Sequence, residues 1–383
     1  MKKTDKTSQT GEQPLALLGG ISAETFLAEY WQKKPLLIRG AIPDFAGLLS
    51  PDELAGLACE EDAQARLVSQ VKGQWRLRQG PFAEEVFAKL PQKNWTLLVQ
   101  GVNHHLSSAM ALLQQFSFIP HARLDDLMVS YAPSGGGVGP HFDSYDVFLL
   151  QGQGSRLWRI SEQRDLAIVE GAPLRILQRF DTAQEWVLEA GDMLYLPPHL
   201  AHWGIAVGYC MTYSIGFRAP SAQELGSEFL VYLQERCVLD GMYADPDLSL
   251  QAHPAEISVG MLNRVTNMLE PLRWQPEDIA HFLGCYLSEP KPHVVFDVPP
   301  TMRPATFAKK LQTHALALDL KTQMLFFRDA LFINGEKVDM HEPARPLLIS
   351  LADRRQIEPQ EIKDTELLSL FHDWYQAGYV EFV

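Results

Sequence analysis

The amino-acid sequence predicts an α+β fold in which a β-rich region is followed by a helical region and by a mixed C-terminal region. Between Asp126 and Ala219, short runs of β-branched and aromatic residues alternate with glycine and proline turn signals. After Pro220, apolar residues recur at helical spacing. The length of 383 residues exceeds what one hydrophobic core usually serves. We therefore expect several domains.

The first residues predict a tail and then an ordered entry segment. Residues 1–20 begin with a polar, lysine-containing stretch that has no apolar run behind it, so we expect a disordered tail and no signal peptide. Ser22 can cap a helix, and a strand follows at Pro35–Arg39. A second helix is predicted at Pro51–Cys59 and a buried strand at Trp95–Val102.

The β-rich region contains five predicted strands separated by turns. They are Leu127–Tyr131, Asp146–Gln151, Ser155–Ile160, Met193–Leu196 and Met211–Phe217. Many short strands at this spacing are typical of a sandwich or a barrel.

The region after Pro220 is predicted to be helical first and mixed afterwards. Helices are expected at 222–239 and 259–272, and later at 304–316, 346–355 and 365–377. Between these later helices, residues 323–338 hold two strands and an Asn334-Gly335 turn, which is a strong hairpin signal. Helices around a hairpin resemble a winged helix, although this shape alone says little about function.

Charge and cysteine content narrow the classes of partner and compartment. The net charge of −14 disfavours direct DNA binding and suits a basic protein partner. Residues 221–289 carry 3 basic and 11 acidic side chains, which form either a solvated helical surface or a cradle that steers a basic protein. The 4 cysteines are scattered and no long apolar run is present, so we expect a cytoplasmic protein without a membrane span.

One cluster of residue types indicates a metal site. A glycine-rich loop leads into His141 and Asp143, which would point to the same face of a strand because side chains alternate along it. His202 follows the Met193–Leu196 strand and its Pro-Pro turn, and we prefer it to His199, which lies in the turn itself. Two imidazoles and one carboxylate on one side of an ion form the arrangement of non-haem Fe(II) oxygenases.

A candidate residue for binding the co-substrate opens the second predicted strand after His141 and Asp143. Arg156 comes after the Gly152–Gly154 turn, and its guanidinium could fork onto the distal carboxylate of 2-oxoglutarate. Ser130, on the strand before the glycine-rich loop, could add a hydroxyl. Taken alone, Arg156 could equally be a solvent-facing strand residue.

Three segments together make a family resemblance specific, namely Gly136–Phe148, Asp192–Pro198 with His202, and Tyr213–Pro220. They look like the bacterial ribosomal oxygenases, which are JmjC-type hydroxylases, and the similarity extends over nearly the whole chain. The resemblance implies a JmjC (cupin) double-stranded β-helix at residues 21–220. It further implies a helical dimerisation segment at 221–289 and a winged-helix-like domain at 290–383.

The resemblance also implies roles for individual side chains. His141, Asp143 and His202 match the iron ligands, while Arg156 and Ser130 match the residues that hold 2-oxoglutarate. Substrate-contact positions fall on Asp125, Asp126, Ser144 and Ser214, and Asp125 matches the guanidinium-binding position best. Thr212 stands where the family pattern has asparagine.

The implied activity is hydroxylation, by Fe(II), 2-oxoglutarate and O2, of an arginine β-carbon in a large-subunit ribosomal protein, the sixteenth. The implied assembly is a homodimer. Two other readings remain open at this point: a lysine demethylase of the same JmjC class, and a non-catalytic cupin-like regulatory binder.

Overall fold

The computed structural model describes residues 12–383, which divide into two compact units. One unit comprises the residues up to Ala219 together with Pro292–Asp297, and the other comprises Pro220–Lys291 and Val298–Val383. Residues 1–11 of the predicted tail lie outside the described residues. Residues 14–20 differ from that prediction, because Pro14 pairs with Ser22 and Leu18 is buried in the core.

The first unit is built on one antiparallel sheet. Its strands are β1 (Leu36–Ile38), β2 (Gln64–Val71), β3 (Gln74–Gln79), β4 (Trp95–Gln100), β5 (Leu124–Ala132), β6 (Val147–Ser161), β7 (Gln184–Leu188), β8 (Met193–Leu196) and β9 (Ala201–Phe217). Their order is β1-β8-β6-β9-β5-β4-β2-β3, with β7 paired to β6. The central strands carry the candidate site. This sheet confirms the α+β class that the sequence predicts.

Four short helices lie in the same unit: α1 (Ala23–Glu29), α2 (Pro51–Leu57), α3 (Glu85–Ala88) and α4 (Ser107–Gln114). The Ser22 hydroxyl caps α1 by accepting from the Thr25 amide at 3.1 Å. Phe26 on α1 packs against Phe148 and Tyr195, which come from β6 and β8. Helix α1 is therefore fixed to the centre of the sheet by an aromatic core.

Two local predictions around β6 are wrong in an informative way. The expected turn at Gly152–Gly154 is absent as a chain reversal, and β6 runs through it with register shifts against β9. The strand predicted to carry both His141 and Asp143 is also missing. His141 makes an isolated bridge to His202, and Asp143 lies in the loop before β6.

The second unit has six helices and six strands in its described residues. The helices are α5 (Ala222–Arg236), α6 (Val259–Leu269), α7 (Pro276–Ser288), α8 (Pro304–Leu311), α9 (Arg345–Arg354) and α10 (Thr365–Gln376). The strands are β10 (Leu316–Leu318), β11 (Met324–Phe327), β12 (Ala330–Ile333), β13 (Glu336–Asp339), β14 (Gln356–Ile357) and β15 (Val380–Phe382). They form two three-stranded sheets, β14-β10-β15 and β11-β12-β13.

The Asn334-Gly335 turn joins β12 to β13, with φ of 50° and 88° at the two residues. Positive φ at both positions is what this dipeptide favours. A second turn at Arg328, with φ of 52°, joins β11 to β12, so the predicted two-stranded hairpin has three strands. Helix α7 was not predicted from the sequence.

Helices α5 and α6 expose several apolar side chains, among them Leu230, Val259 and Leu262. Neither helix has a buried residue among those that the structure describes. Met242 and Leu250, in the segment between them, are 92% and 103% exposed. Across residues 12–383, no helix combines the length and the apolar character that a membrane crossing requires.

Candidate active site

His141, Asp143 and His202 form a compact cluster of metal-ligand atoms. One ligand atom from each lies within 4.8 Å of the other two. Asp143 Oδ2 is 4.0 Å from His141 Nε2 and 3.6 Å from His202 Nε2. Two imidazole nitrogens and a carboxylate at this spacing can hold a divalent transition metal such as Fe(II) and leave the remaining coordination positions open.

The backbone fixes the two histidines to each other. The His141 amide donates to the His202 carbonyl at 3.0 Å, and the His202 amide donates back at 2.8 Å. Each ring is fixed as well, since His141 Nδ1 is 2.9 Å from the Gly139 carbonyl and His202 Nδ1 is 2.9 Å from the Leu200 carbonyl. A carbonyl oxygen only accepts, so Nδ1 carries the proton and both Nε2 lone pairs are available to a metal.

The electrostatics favour neutral imidazole at His202. Burial and the neighbouring His141 lower the pKa of His202 to about 4, although Asp143 opposes the shift. The ring is therefore unprotonated at neutral pH, which is the form that binds a metal. His199 is exposed, and its amide donates to the Asp143 carbonyl at 2.7 Å. Within residues 12–383, the metal-ligand cluster does not include the His199 side chain.

The glycine-rich loop before His141 allows the backbone to approach its neighbours closely. A Cβ atom on Gly136 would lie 2.0 Å from the Trp95 carbonyl oxygen, and one on Gly137 would lie 2.3 Å from the Gly204 carbonyl oxygen. Gly204 follows His202 on β9, so a side chain at Gly137 would push the loop that leads to His141 away from the strand that carries His202.

Arg156 supplies a buried positive charge elsewhere in the same cavity. Its side chain points inward from β6 and is 5% exposed. Nη1 donates to Ser130 Oγ at 3.2 Å and to Thr212 Oγ1 at 3.1 Å. No carboxylate from the described part of the chain forms an ion pair with this guanidinium. Burial lowers the pKa of Arg156, but an arginine remains charged in proteins.

The unsatisfied donors of Arg156 and Trp158 fit an anionic ligand. Arg156 Nε and Trp158 Nε1 are both buried and have no hydrogen-bond partner among residues 12–383. Buried polar groups are rarely left unpaired, and an isolated buried charge is costlier still. A ligand carboxylate at Arg156 would remove this cost. The residues present therefore fit the distal end of a 2-oxo dicarboxylate such as 2-oxoglutarate.

Two adjacent acidic residues reach the same cavity from β5. Neighbouring residues in a regular strand point to opposite faces, but the pairing of β5 with β9 shifts register between Leu124 and Leu127. As a result, both Asp125 and Asp126 line the cavity. Asp125 Oδ1 lies 3.5 Å from Arg218 Nε, and Asp126 Oδ2 accepts from the Gly101 amide at 3.0 Å.

One cavity of about 520 Å³ connects these groups. All nine side chains that the sequence analysis singled out line it: Asp125, Asp126, Ser130, His141, Asp143, Ser144, Arg156, His202 and Ser214. Its volume is within the range of small-molecule sites, which leaves room for a co-substrate and part of a substrate side chain.

Two polar residues in or beside this cavity, Gln151 and Arg66, were not singled out from the sequence, and Thr212 was noted only as a departure from the family pattern. Gln151 is fully buried and accepts a hydrogen bond from the Thr212 hydroxyl at 3.1 Å. Arg66 lines the cavity, and its Nη2 contacts the Met128 sulfur at 3.7 Å. The place of Thr212 beside the site could have been inferred from its position two residues before Ser214 on one strand, because such residues share a face. Gln151 ends an apolar run immediately before a glycine, which is a weaker signal.

Comparison with protein families gives two matches. A JmjC domain matches residues 111–225, and a ROXA-like winged helix matches residues 271–381. The ribosomal protein uL16 3-hydroxylase of Escherichia coli (strain K12) is 36% identical over 363 residues, covering 92% of this chain and 96% of that protein. A probable ribosomal oxygenase of Haemophilus influenzae is 38% identical over 259 residues, covering 65% of this chain and 60% of that protein.

Solved structures give the same relationship. The X-ray structure of E. coli YcfD has a TM-score of 0.84 at 36% identity, with coverage of 94% of this chain and 98% of that chain. A structure of YcfD, a ribosomal oxygenase, in complex with cobalt and 2-oxoglutarate has a TM-score of 0.81 at 36% identity, with coverage of 94% and 97%.

Proposed function

The chain belongs to the ribosomal oxygenases, which are JmjC-type 2-oxoglutarate-dependent hydroxylases, and we propose that it hydroxylates an arginine β-carbon of the ribosomal protein uL16. The observation that carries the proposal is a single cavity with a metal-ligand cluster, a buried guanidinium that pairs with no carboxylate of residues 12–383, and two carboxylates. A relative that is 36% identical over nearly its whole length is named as a uL16 3-hydroxylase.

In this proposal His141, Asp143 and His202 hold Fe(II). The metal and 2-oxoglutarate supply the oxidising power with O2, so that succinate and CO2 are released and one oxygen atom enters a C–H bond of the substrate. The protein contributes geometry, because the two imidazoles present Nε2 from rings already fixed by the Gly139 and Leu200 carbonyls. His202 does not have to lose a proton at neutral pH before it binds the metal, because its pKa is lowered to about 4.

Arg156 and Ser130 bind the distal carboxylate of 2-oxoglutarate in this scheme. A carboxylate can accept two parallel hydrogen bonds from one edge of a guanidinium. Support comes from the unpaired Nε of Arg156 and from the short distance to the Ser130 hydroxyl. The charge that is costly in the ligand-free cavity is compensated when the dicarboxylate is bound.

For the substrate side we propose Asp126 as the main guanidinium partner, with Asp125, Ser144 and Ser214 at the surrounding contact positions. Asp126 is 6% exposed and is two residues from Met128 and four from Ser130, so it shares their face of β5. The Gly101 amide orients one of its oxygens. Asp125, which the family pattern matches better, lies beside Arg218 and is more exposed.

We further propose that the protein works in the cytoplasm as a homodimer. The helical segment 221–289 would form the dimer interface, between a catalytic domain at 21–220 and a winged-helix-like domain at 290–383. The exposed apolar residues of α5 and α6 support an interface there. The acidic balance of the chain supports a basic protein partner and disfavours DNA as the ligand of the C-terminal domain.

The decisive experiment incubates the protein with Fe(II), 2-oxoglutarate, O2 and purified uL16. We expect a mass gain of one oxygen atom on one arginine, mapped by fragmentation, together with succinate formation. The matched control is uL16 in which that arginine is replaced by lysine, which should stay unmodified. A loss of methylene from a methylated lysine substrate would instead indicate a demethylase, and the absence of 2-oxoglutarate turnover would indicate a non-catalytic binder.

The dimer is tested separately by light scattering over a range of concentrations. Replacing Leu250 and Leu262, which are 103% and 59% exposed, by serine should reduce the mass to that of one chain. A single-chain mass for the unmodified protein at every concentration would contradict the proposed interface. Neither outcome affects the assignment of the cavity.

A further inference from the structure

A chain of buried side chains extends from Arg156 away from the cavity. Arg156 Nη1 donates to Thr212 Oγ1 at 3.1 Å, and the Thr212 hydroxyl donates to Gln151 Oε1 at 3.1 Å. Thr212 is 1% exposed and Gln151 is 0% exposed. A polar side chain that is fully buried beside an active site without facing the ligand has a structural or a positioning role.

The direction of every hydrogen bond in this chain is fixed. Gln151 Nε2 donates to the Gln153 carbonyl at 2.9 Å and to the Met211 carbonyl at 3.1 Å. The amide therefore presents its oxygen, and not its nitrogen, to Thr212. Because that oxygen only accepts, the Thr212 proton must point to Gln151, and the lone pairs of Thr212 must face Arg156.

The local sequence makes this arrangement possible. Gln151 precedes the register shift between β6 and β9, where the chain contains Gly152 and Gly154. Gly154 has φ of 64°, and a Cβ atom there would lie 1.8 Å from the Tyr209 carbonyl oxygen. The bulge brings the Gln153 carbonyl to the side-chain amide of Gln151, and only glycine fits the backbone at position 154.

The consequence for Arg156 concerns which edge of its guanidinium is free. Both protons of Nη1 are used, one by Ser130 and one by Thr212. Nε has no partner among residues 12–383, and no hydrogen bond from Nη2 is present in that range. The Nε–Nη2 edge is the one that can bind a carboxylate through two parallel bonds.

We propose that Thr212 and Gln151 are positioning residues that hold Arg156 with its Nε–Nη2 edge towards the cavity, and so determine the affinity for the dicarboxylate co-substrate. This inference rests on the proposed function, since it assumes that Arg156 binds 2-oxoglutarate. Thr212 occupies Nη1 and prevents the guanidinium from turning, while Gln151 prevents the Thr212 hydroxyl from presenting its proton to the cation.

The test measures 2-oxoglutarate affinity by calorimetry on the protein loaded with cobalt(II), in the absence of substrate, so that no turnover is required. Thr212→Val removes the hydroxyl at nearly constant volume, and we expect the Kd to rise by roughly tenfold or more. Thr212→Ser keeps the hydroxyl and should stay within about threefold of the unchanged protein. In turnover assays, the KM for 2-oxoglutarate should rise while the KM for the protein substrate does not.

A matched control separates positioning from loss of a buried hydrogen bond. Thr322 is 0% exposed in the second unit, and its hydroxyl donates to the Tyr379 carbonyl at 2.8 Å. Thr322→Val should lower the melting temperature to a similar extent as Thr212→Val and leave the Kd for 2-oxoglutarate unchanged.

The role of Gln151 is tested by combining variants. Gln151→Met alone should raise the Kd by a smaller factor than Thr212→Val. The double variant should bind no more weakly than Thr212→Val, because Gln151 acts only through the threonine hydroxyl. Effects that multiply, or an unchanged Kd in Thr212→Val, would overturn the inference. If the unchanged protein does not bind 2-oxoglutarate, the proposed function itself fails, which is a distinguishable result.

Discussion

The metal cluster and the Arg156 region lie in one cavity but are held by different kinds of interaction. At the metal cluster, backbone groups supply the hydrogen bonds that hold the ligands. His141 and His202 exchange backbone hydrogen bonds, and each ring bonds to a carbonyl two residues earlier. Around Arg156, side chains from β5, β6 and β9 form the contacts. The metal cluster contains a carboxylate, Asp143, beside its two imidazoles, whereas the Arg156 region carries a positive charge without a carboxylate partner within residues 12–383.

This difference predicts how the two regions respond to mutation. Removing the side chain of a metal ligand leaves the backbone hydrogen bonds in place, so it should lower the rate of turnover more than the free energy of unfolding. Removing Arg156 relieves a buried charge and should affect binding and stability in opposite directions. Four experiments test this contrast, and the largest effect is expected at the metal cluster.

The largest effect is expected for His202→Ala. Loss of one of the three metal ligands removes several kcal/mol of transition-state stabilisation, so 2-oxoglutarate turnover should fall by roughly a thousandfold or more. Succinate formation measured at saturating Fe(II) checks this. The matched control is His199→Asn, which removes the nearby exposed ring and keeps a residue that tolerates the positive φ of 63° there. Equal losses in both variants would contradict the ligand assignment.

The second prediction concerns Arg156→Met. Loss of a charge-assisted, two-bond contact should raise the Kd for 2-oxoglutarate by roughly a hundredfold. The ligand-free protein should be as stable as before, or more stable by about 1 kcal/mol, because an uncompensated buried charge is replaced by an apolar side chain. Calorimetry and urea denaturation measure the two quantities. A large loss of stability would mean that Arg156 is mainly a structural residue.

The third prediction is a pH dependence of the metal-free protein. The pKa of His202 is about 4 in the folded protein against an ordinary value of 6.5, because burial and the neighbouring His141 lower it more than Asp143 raises it. Between these two pH values the unfolded chain binds a proton that the folded chain does not, so stability falls as the pH is lowered. The total loss should be about 3 kcal/mol.

Denaturant titrations at several pH values measure this loss. His202→Gln provides the comparison, because glutamine cannot titrate and the variant should lose correspondingly less stability across the same pH range. Identical pH profiles for the two proteins would show that His202 is not buried as a neutral ring.

The smallest effect is expected at the substrate contacts. Asp126→Asn should raise the KM for uL16 by about tenfold, since a hydrogen bond to a charged partner contributes about 1.5 kcal/mol. Asp125→Asn, the adjacent carboxylate beside Arg218, should raise it less. Both variants should retain the affinity for 2-oxoglutarate. A larger effect at Asp125 would reverse the proposed roles of the two residues.

The sequence was informative where geometry depends on residues close together in the chain. Three signals are local: the spacing of His141 and Asp143, the glycine-rich loop before them, and the helix cap at Ser22. The structure brings His141, Asp143 and His202 together. The strand expected for His141 and Asp143 was wrong, since His141 is held by a single bridge to His202 and Asp143 follows in the loop before β6. Strand alternation therefore predicted correctly that His141 and Asp143 lie close together, although the two residues are not part of one strand.

The features that could not be predicted depend on pairing between distant strands. The register shift in β5 brings Asp125 and Asp126 into one cavity, and the shift in β6 places Gln151 behind Thr212. Both arise from pairing with β9, about 60 to 90 residues further along the chain. A glycine pair indicates a turn or a bulge equally well, so the Gly152–Gly154 turn was a reasonable but incorrect expectation.

The reciprocal backbone hydrogen bonds between His141 and His202 also affect how a bound metal ion can leave. Each histidine is held at its peptide groups by the other histidine and at its ring by the carbonyl two residues earlier, so a ring can turn outward only by breaking its Nδ1 hydrogen bond. Departure of the ion consequently leaves the ligand nitrogens where they were, and reloading requires no rearrangement of the chain. Exchange of the ion is then limited by passage through the cavity opening and not by local unfolding.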